Sequence, residues 1–260
     1  MLQSSNLSTT SNSQGDAGFN LLTLSALFEI ELQQMLLQEQ QDKPLRTGLH
    51  ASALLIPEEQ WCVRRHVLAE RFPDRVERIE LMQWQWKTHS IFENGWDLHQ
   101  RWQQVFLNAG IAVFNREMND YELDLTHVDQ EGMLHFSPDA IIEYGGIQYV
   151  VEIKGYNDRT YQQMIAAPHP PEAAHRQCNL YMHMLGLKRG FVLVENKNTQ
   201  DFHVWAVAYD FDMTQLYIDR LYQVKGKLAT GSMPARKCFS PGDTLARSCP
   251  MRKICFEMEG

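Results

Sequence analysis

Residues 136–155 read FSPDAIIEYGGIQYVVEIKG, and this stretch decides the fold. The dipeptide Gly145-Gly146 separates two runs of β-branched and aromatic residues, which is the pattern of a β-hairpin with a two-residue turn. If the two glycines form that turn, Tyr144 faces Ile147 across the hairpin. Every further pair then follows by counting outward along the two strands.

Three charged side chains come together in this register. Asp139 lies directly opposite Glu152, and opposed residues share one sheet face with Cβ atoms roughly 4.5–5.5 Å apart. Lys154 is two residues beyond Glu152 and points to the same face. The alternative interpretation is a plain hairpin, in which Asp139 lies at a strand edge and Glu152 and Lys154 form a structural ion pair.

A shared divalent cation explains why two acidic residues would face each other. Like charges placed opposite one another destabilise a sheet, and a cation between them removes that penalty. Carboxylate oxygens suit Mg²⁺ or Mn²⁺. Such a cation would lower the pKa of a bound water, and Lys154 beside it would orient that water or stabilise the transition state. The hairpin therefore predicts a metal centre for chemistry on phosphates.

The segments around the hairpin alternate between helical and strand-like patterns. Helical spacing covers 20–41, 58–72, 90–108, 171–186 and 211–226. Strand-like composition covers 111–116, 121–128, 133–144, 147–154, 190–195 and 202–208. Strands in the middle with helices before, between and after them predict an α/β layered domain. We expect this domain to span 48–260, with an irregular tail at 228–260.

The first 47 residues differ from this domain. Segment 1–18 is rich in Ser, Asn, Thr and Gln, which predicts disorder. Segment 19–47 predicts a helical extension, whose apolar residues are interrupted by Glu29 and Glu31 and so favour an amphipathic helix over a membrane span. This helix could cover the core or recruit a protein partner. No secretory signal pattern is visible, and we expect a soluble cytoplasmic protein without a membrane role.

Charge is unevenly distributed. The net charge of -8 argues mildly against a generic nucleic-acid binder. Between Arg220 and Lys253, however, lie eight of the 24 Lys and Arg residues, opposed only by Asp243. A basic lobe on an acidic protein could meet a phosphate backbone. A solvated surface is the plainer interpretation of the charge alone.

The charged residues of the hairpin also form a known signature. Pro138-Asp139 followed by Glu152-Ile153-Lys154 resembles the motif of the PD-(D/E)xK nucleases. The resemblance implies a restriction-endonuclease-like core, a central mixed β-sheet flanked by helices. It also implies that Asp139 and Glu152 bind metal, with the Ile153 carbonyl as a further ligand, and that Lys154 assists the hydrolysis.

Two further motifs resemble the RecB-like members of that superfamily. Gln177 and Tyr181 match a QxxxY motif, and their four-residue spacing puts both on one helix face. The resemblance implies that they position the scissile phosphate or the attacking water. Gly95 and His99 resemble a GxxxH helix, in which the His completes the metal site. A helix with a polar seam and a structural His are the alternatives.

Four of the five cysteines extend the resemblance to the iron–sulfur group of RecB-like exonucleases, including CRISPR-associated and phage-type relatives. Cys62 lies early, and Cys238, Cys249 and Cys255 lie late. The resemblance implies that these four hold a structural [4Fe–4S] cluster, and zinc is the alternative. The usual late spacing is C-x2-C-x5-C, whereas ten residues separate Cys238 from Cys249 here. Cys178 is predicted to be a small core residue.

The resemblance covers residues from about 48 to 258 and implies a DNA exonuclease that acts on DNA ends or single strands. We expect Arg64, Arg65, Arg247 and Arg252 to contact the DNA backbone, because they lie next to the cysteines in sequence. The main rival is a DNA-binding or adaptor protein on the same fold without important cleavage. A zinc-stabilised structural protein with a coincidental motif is a third interpretation.

Overall fold

The computed structural model describes residues 26–35, 48–77, 86–115, 120–121, 127–129 and 133–258. The predicted disordered segment 1–18 lies outside these residues, as does most of the extension at 19–47. Within that extension, residues 26–35 form a helix, α1, whose side chains are nearly all exposed. Apolar side chains on it, such as Phe28 and Met35, are therefore not part of the core.

The main sheet contains the hairpin. Its strands are β6 (Ala140–Tyr144), β7 (Ile147–Tyr156), β8 (Arg189–Asn196) and β9 (Phe202–Ala208), and they lie in that order. Strand β7 pairs antiparallel with β6 and parallel with β8, and β9 is antiparallel to β8. The parallel pair requires a crossover, which is made by α5 (Asp158–Ile165) and α6 (Glu172–Leu185).

The register of the hairpin is confirmed. Tyr144 pairs with Ile147, and Ala140 pairs with Val151. Gly145 and Gly146 both adopt positive φ, at 62° and 75°. That conformation is the one that a two-residue turn of this type requires, and glycine adopts it without strain.

Helices cover both faces of the main sheet. Val150 of β7 belongs to the larger core cluster, together with Cys178 and Met182 of α6. Val151 and Ile153 belong to a second cluster, which includes residues of the long helix α4 (Trp86–Asn108). Because side chains alternate along a strand, Glu152 and Lys154 share the α6 side of β7. The predicted α/β layering, a mixed sheet flanked by helices, is thus confirmed.

The remaining described elements pack around this centre. A second sheet joins β1 (Leu49–His50), β5 (Leu134–Phe136) and β4 (His127–Val128), and β2 (Phe114–Asn115) pairs with β3 (Asp120–Tyr121). Three more helices pack at the larger core cluster: α2 (Ala51–Leu54), α3 (Val63–Arg71) and α7 (Phe211–Ala229). A 3₁₀ turn covers Pro73–Arg75.

The structure corrects three details. The helix predicted at 58–72 begins only at Val63, and Cys62 is its N-cap residue rather than a helical one. Helix α5 is absent from the sequence prediction, although its N-cap Asn157 accepts a hydrogen bond from the main chain of Thr160. The tail is not wholly irregular, because it contains the short helices α8 (Thr244–Arg247) and α9 (Arg252–Glu257).

Among the described residues, no helix is both long enough and apolar enough to cross a bilayer.

Candidate functional site

The Asp139 side chain lies where β6 ends. Its Oδ2 accepts a hydrogen bond of 2.6 Å from the main-chain nitrogen of Ile153 in β7. The carboxylate thereby takes the position of a strand carbonyl and continues the ladder past Ala140. Asp139 is almost wholly buried, at 6% exposure. Such a carboxylate is held rigidly and does not depend on water for its hydrogen bonds.

Helix α4 brings two more side chains to this point. His99 places Nδ1 at 3.4 Å from Asp139 Oδ1 and Nε2 at 3.2 Å from the carbonyl oxygen of Ile153. One turn further along the helix, Gln103 donates from Nε2 to the Asp139 carbonyl oxygen at 2.8 Å. His99 thus contacts two of the other groups that the family resemblance implies as ligands, Asp139 and the Ile153 carbonyl.

Glu152 and Lys154 form the other half of the site. Glu152 is fully buried, and its Oε1 accepts a hydrogen bond from Nζ of Lys154. The Lys154 side chain is 31% exposed, so it lies at the mouth of the site. Burial by itself lowers the pKa of the Lys154 ammonium, but the charges of Glu152 and Asp139 outweigh burial and raise that pKa above its usual value. Lys154 is therefore cationic and sensitive to both carboxylates.

The donor set suits a hard divalent cation. Two carboxylates, one imidazole and one main-chain carbonyl are ligands that Mg²⁺ or Mn²⁺ accepts. In the described arrangement, His99 and Lys154 contact the carboxylates directly. Within the residues that the structure describes, no three His, Cys, Asp or Glu side chains already converge as a complete metal site. The chemistry of the donors fits a cation, and their present contacts are with one another.

Gln177 and Tyr181 lie on α6, the helix that covers the Glu152 face of β7. Gln177 donates from Nε2 to the Tyr181 hydroxyl at 3.0 Å. The Tyr181 ring is buried and stacks on Phe136, with ring centroids 6.1 Å apart. The four-residue spacing thus does place the two side chains on one face and in contact. Gln177 is the more exposed of the pair, and it is the one that could reach a substrate.

Four cysteines line one small cavity between α3 and the C-terminal tail. The cavity measures about 20 Å³, roughly the space of one water molecule. Its walls include the four predicted to act together: Cys62, Cys238, Cys249 and Cys255. Cys62 is more than 170 residues away from the other three in sequence. They meet here because the segment of α9 packs against α3, through contacts of Met251 and Ile254 with Leu68.

The cysteines of this cavity influence one another's pKa values. Burial raises the pKa of Cys238, and charge on Cys62 and Cys255 raises it further. Burial also raises the pKa of Cys249, while the guanidinium of Arg65 lowers it. A bound cation would reverse the effect of burial, because it favours thiolates.

Cys178 is separate from that cavity. Its Sγ is 4.0 Å from the carbonyl oxygen of Val150 and fills the space that Gly190 leaves beside the sheet. Burial raises the pKa of the Cys178 thiol well above its usual value, and the charges of Glu152 and Asp139 act in the same direction. The structure therefore places Cys178 in the core, as its sequence context predicts.

The predicted DNA-binding arginines do not form one set. Arg65 lines the cysteine cavity, as does Arg252, and Arg247 lies exposed on α8. Arg64 points the other way: it is 2% exposed, and its Nη1 donates to the Pro234 carbonyl oxygen at 2.8 Å. A guanidinium in that position connects α3 to the tail and has no surface to offer a phosphate, so Arg64 is corrected to a structural residue.

Much of the basic segment is also occupied within the fold. Arg220 is 1% exposed and donates to the carbonyl oxygens of Leu54 and Ile56 at 2.6 Å each. Lys225 pairs with Asp129 at 2.5 Å. The count of basic residues in sequence therefore overstates the cationic surface of this lobe.

Sequence reasoning missed several polar residues near the site. Gln103 lies four residues after His99, and that spacing alone places both on one helix face. Glu195 of β8 is buried and accepts hydrogen bonds from Arg101 at 2.5 Å and from the Trp102 indole at 2.7 Å. No sequence signal connects Glu195 to α4, because that pairing depends on how the helix crosses the sheet.

No family model and no curated protein matches this chain. Solved structures with partial similarity include SSO0001, at 14% identity and a TM-score of 0.45, where the match covers 89% of this chain and 97% of that one. They also include the alkaline exonuclease LHK-Exo from Laribacter hongkongensis and its complex with dAMP. Both LHK-Exo structures match at 14% identity and a TM-score of 0.46, with 70% of this chain and 90% of that chain covered. Similarity at this level does not establish the activity of this protein, which therefore has to be inferred from the site itself.

Proposed function

We propose that this protein hydrolyses phosphodiester bonds in DNA with the help of divalent cations. One observation carries the proposal: the hairpin register puts Asp139 beside Ile153, in the part of β7 from which Glu152 and Lys154 project. Buried like charges are costly unless a cation accompanies them. A site that holds two carboxylates and a lysine at its mouth suits chemistry on an anionic substrate.

Each residue has a separate part in the proposed reaction. Asp139, Glu152, His99 and the Ile153 carbonyl would hold Mg²⁺ or Mn²⁺, which supplies a more acidic water and neutralises phosphate charge. Lys154 holds a positive charge at the mouth, where it would stabilise the negative charge that builds up on the phosphoryl oxygens. Gln177, held by its contact with Tyr181, would donate a hydrogen bond to a phosphate oxygen.

We further propose that the four cysteines bind a structural [4Fe–4S] cluster or a zinc ion. The proposal is supported by the single cavity that they share and by the cationic side chains around it, such as Arg65 and Lys237. Thiolates beside cations are stabilised as metal ligands. Either group would require the cysteine side chains to rearrange, because no three of the described His, Cys, Asp or Glu side chains are already placed to hold a metal ion. A bound group would fix the tail on α3, with Arg252 and Arg247 close by to meet a DNA backbone.

The proposed substrate is a DNA end or a single strand, as the resemblance to the RecB-like exonucleases implies, and contacts with the DNA backbone should dominate its affinity. The decisive experiment is digestion of end-labelled single- and double-stranded DNA by the purified protein with Mg²⁺ or Mn²⁺. Lys154→Ala should abolish cleavage, whereas Glu143→Gln, a change of an exposed carboxylate in the same hairpin, should not. DNA binding by the wild-type protein with no cleavage under either metal would favour the adaptor alternative.

A further inference from the structure

The side chain of Lys197 crosses over β7, the strand that carries the proposed metal centre. Its main-chain nitrogen donates to the Tyr156 carbonyl oxygen at 2.8 Å, just after β8 ends. Its side chain then passes over Gly155, the residue that follows Lys154. A Cβ built on Gly155 would come within 2.5 Å of Lys197 Cε and 2.7 Å of Leu98 Cδ2. Gly155 thus leaves a passage that the lysine stem occupies.

The segment that presents Lys197 is firmly held. Asn196 is fully buried and donates from Nδ2 to Asp158 Oδ1 at 2.7 Å. The side chain of Asn198 in turn accepts the main-chain hydrogen bond of Asp158 at 2.9 Å. This clasp joins the end of β8 to the start of α5. Lys197, between the two asparagines, therefore starts from a fixed position although it is itself exposed.

The charge of Lys197 is available to a ligand. The nearest buried acid along the chain, Glu195, is already occupied by Arg101 and Trp102. Among the residues that the structure describes, no carboxylate forms an ion pair with Lys197. An exposed ammonium without an acidic partner is suited to bind an anion.

The position of Lys197 points to which anion it would bind. Strand β7 pairs with β6 only as far as Val151, whereas on its other edge it pairs with β8 as far as Tyr156, and Lys197 directly follows β8. Leu98, whose side chain reaches the same space beside Gly155, is the residue before His99. The lysine stem therefore lies on the α4 side of β7, the side from which His99 contacts Asp139 and the Ile153 carbonyl.

We propose that Lys197 contacts a phosphate of the DNA strand next to the metal centre and so positions that strand for hydrolysis. This inference rests on the proposed function and adds to it a binding residue that acts on a neighbouring, non-scissile phosphate. A lysine in this role strengthens substrate binding more than it speeds the chemical step, because the contact exists in both ground and transition states.

The test uses three variants of the full-length protein. Lys197→Met keeps the apolar stem over Gly155 and removes the charge, and Lys197→Arg keeps the charge. Lys188→Met is the matched control, because Lys188 directly precedes the other end of β8, over the Tyr209 ring. The measurements are binding of a labelled single-stranded oligonucleotide in EDTA over a range of salt, and KM and kcat for its cleavage with Mg²⁺.

Loss of one phosphate contact should weaken binding about fivefold to eightfold at 0.1 M salt and lower the salt slope by roughly 0.7–0.9. We expect this for Lys197→Met, with a similar rise in KM and little change in kcat, while Lys197→Arg and Lys188→Met resemble the wild type. Unchanged binding and KM in Lys197→Met would overturn the assignment. Absence of cleavage by the wild type would instead overturn the proposed function, and the binding data would then still decide whether Lys197 meets DNA.

Gly155→Ala provides an independent check. The added methyl would push the lysine stem off β7, so this variant should lose as much affinity as Lys197→Met while keeping the lysine. Combining the two changes should cause no further loss, since both remove one contact. Full additivity of the two losses would contradict the proposal.

Discussion

The carboxylate of Asp139 accepts the main-chain hydrogen bond of Ile153 at 2.6 Å, and so one acidic side chain serves both the sheet and the proposed metal centre. This double role predicts that two substitutions at the same position will differ in stability and agree in activity. An asparagine can still accept the hydrogen bond from Ile153, whereas an alanine cannot.

Asp139→Asn and Asp139→Ala should both lower the rate of DNA cleavage by about a hundredfold or more, because each removes a metal-binding charge. Only Asp139→Ala leaves the buried nitrogen of Ile153 without an acceptor, at a cost of about 1–3 kcal/mol in the free energy of unfolding. Nuclease assays and urea denaturation check the two parts. Equal stability of the two variants would show that the hydrogen bond contributes nothing.

Substitution of the cysteines should show that four of them hold the metal and that the fifth does not. Cys62→Ser should lose the bound metal and destabilise the tail, because one of four ligands of a long cross-link is gone. Cys178→Ala should keep the metal, since that thiol lies against Val150 in the core. Iron and zinc analysis, with the visible absorbance spectrum, checks both variants. Metal loss in Cys178→Ala, or full metal content in Cys62→Ser, would contradict the assignment.

Neighbouring arginines on α3 should behave in opposite ways. Arg65→Gln, combined with the same change at Arg247 and Arg252, should lower the salt slope of DNA binding by about two to three. Arg64→Met should leave that slope unchanged and destabilise the fold, because its guanidinium is buried against the Pro234 carbonyl. Salt titrations of binding and thermal melting separate the two effects. Metal analysis of the triple variant controls for damage to the cysteine site.

His66 should make the protein sensitive to acid. Burial lowers the pKa of His66 to about 3, and the charges of Arg65 and Arg220 act in the same direction. An unfolded histidine titrates near pH 6.5, so the unfolded chain binds a proton first as the pH falls. The stability that His66 contributes is therefore complete above about pH 6.5 and is lost progressively towards pH 3, at about 1.4 kcal/mol for each pH unit.

His66→Phe removes this proton uptake and keeps a ring to stack on Trp61, whose centroid lies 4.5 Å away. We expect the variant to lose less stability than the wild type between pH 6.5 and 4, as measured by urea denaturation at several pH values. Parallel stability curves for the two proteins over that range would refute this role of His66.

The hairpin shows how much a local pattern can predict. Two glycines set the turn, and the alternation of residues along a strand then places Asp139 beside β7 at the level of Glu152. The Gln177–Tyr181 contact follows in the same way from helical spacing. Both predictions succeed because they depend on the geometry of one turn or one helix.

Other features of the site cannot be read in this way. A resemblance points to His99, and only the crossing of α4 over β7 shows that it contacts both Asp139 and the Ile153 carbonyl. Apart from its own helix backbone and chain neighbours, no atom of the described residues lies within 4 Å of where a Cβ on Gly95, the other half of that motif, would be, so their packing does not require glycine there.

The sequence by itself determined the hairpin, its register and the grouping of its charged residues, because turn and strand geometry are set by neighbours in the chain. The tertiary structure decided which of two adjacent arginines is buried, which four cysteines share a cavity, and that the Lys197 stem crosses Gly155. Those outcomes depend on the packing of segments far apart in sequence. The free energy of such packing depends on contacts throughout the core, so the residue pattern of a single segment cannot predict it.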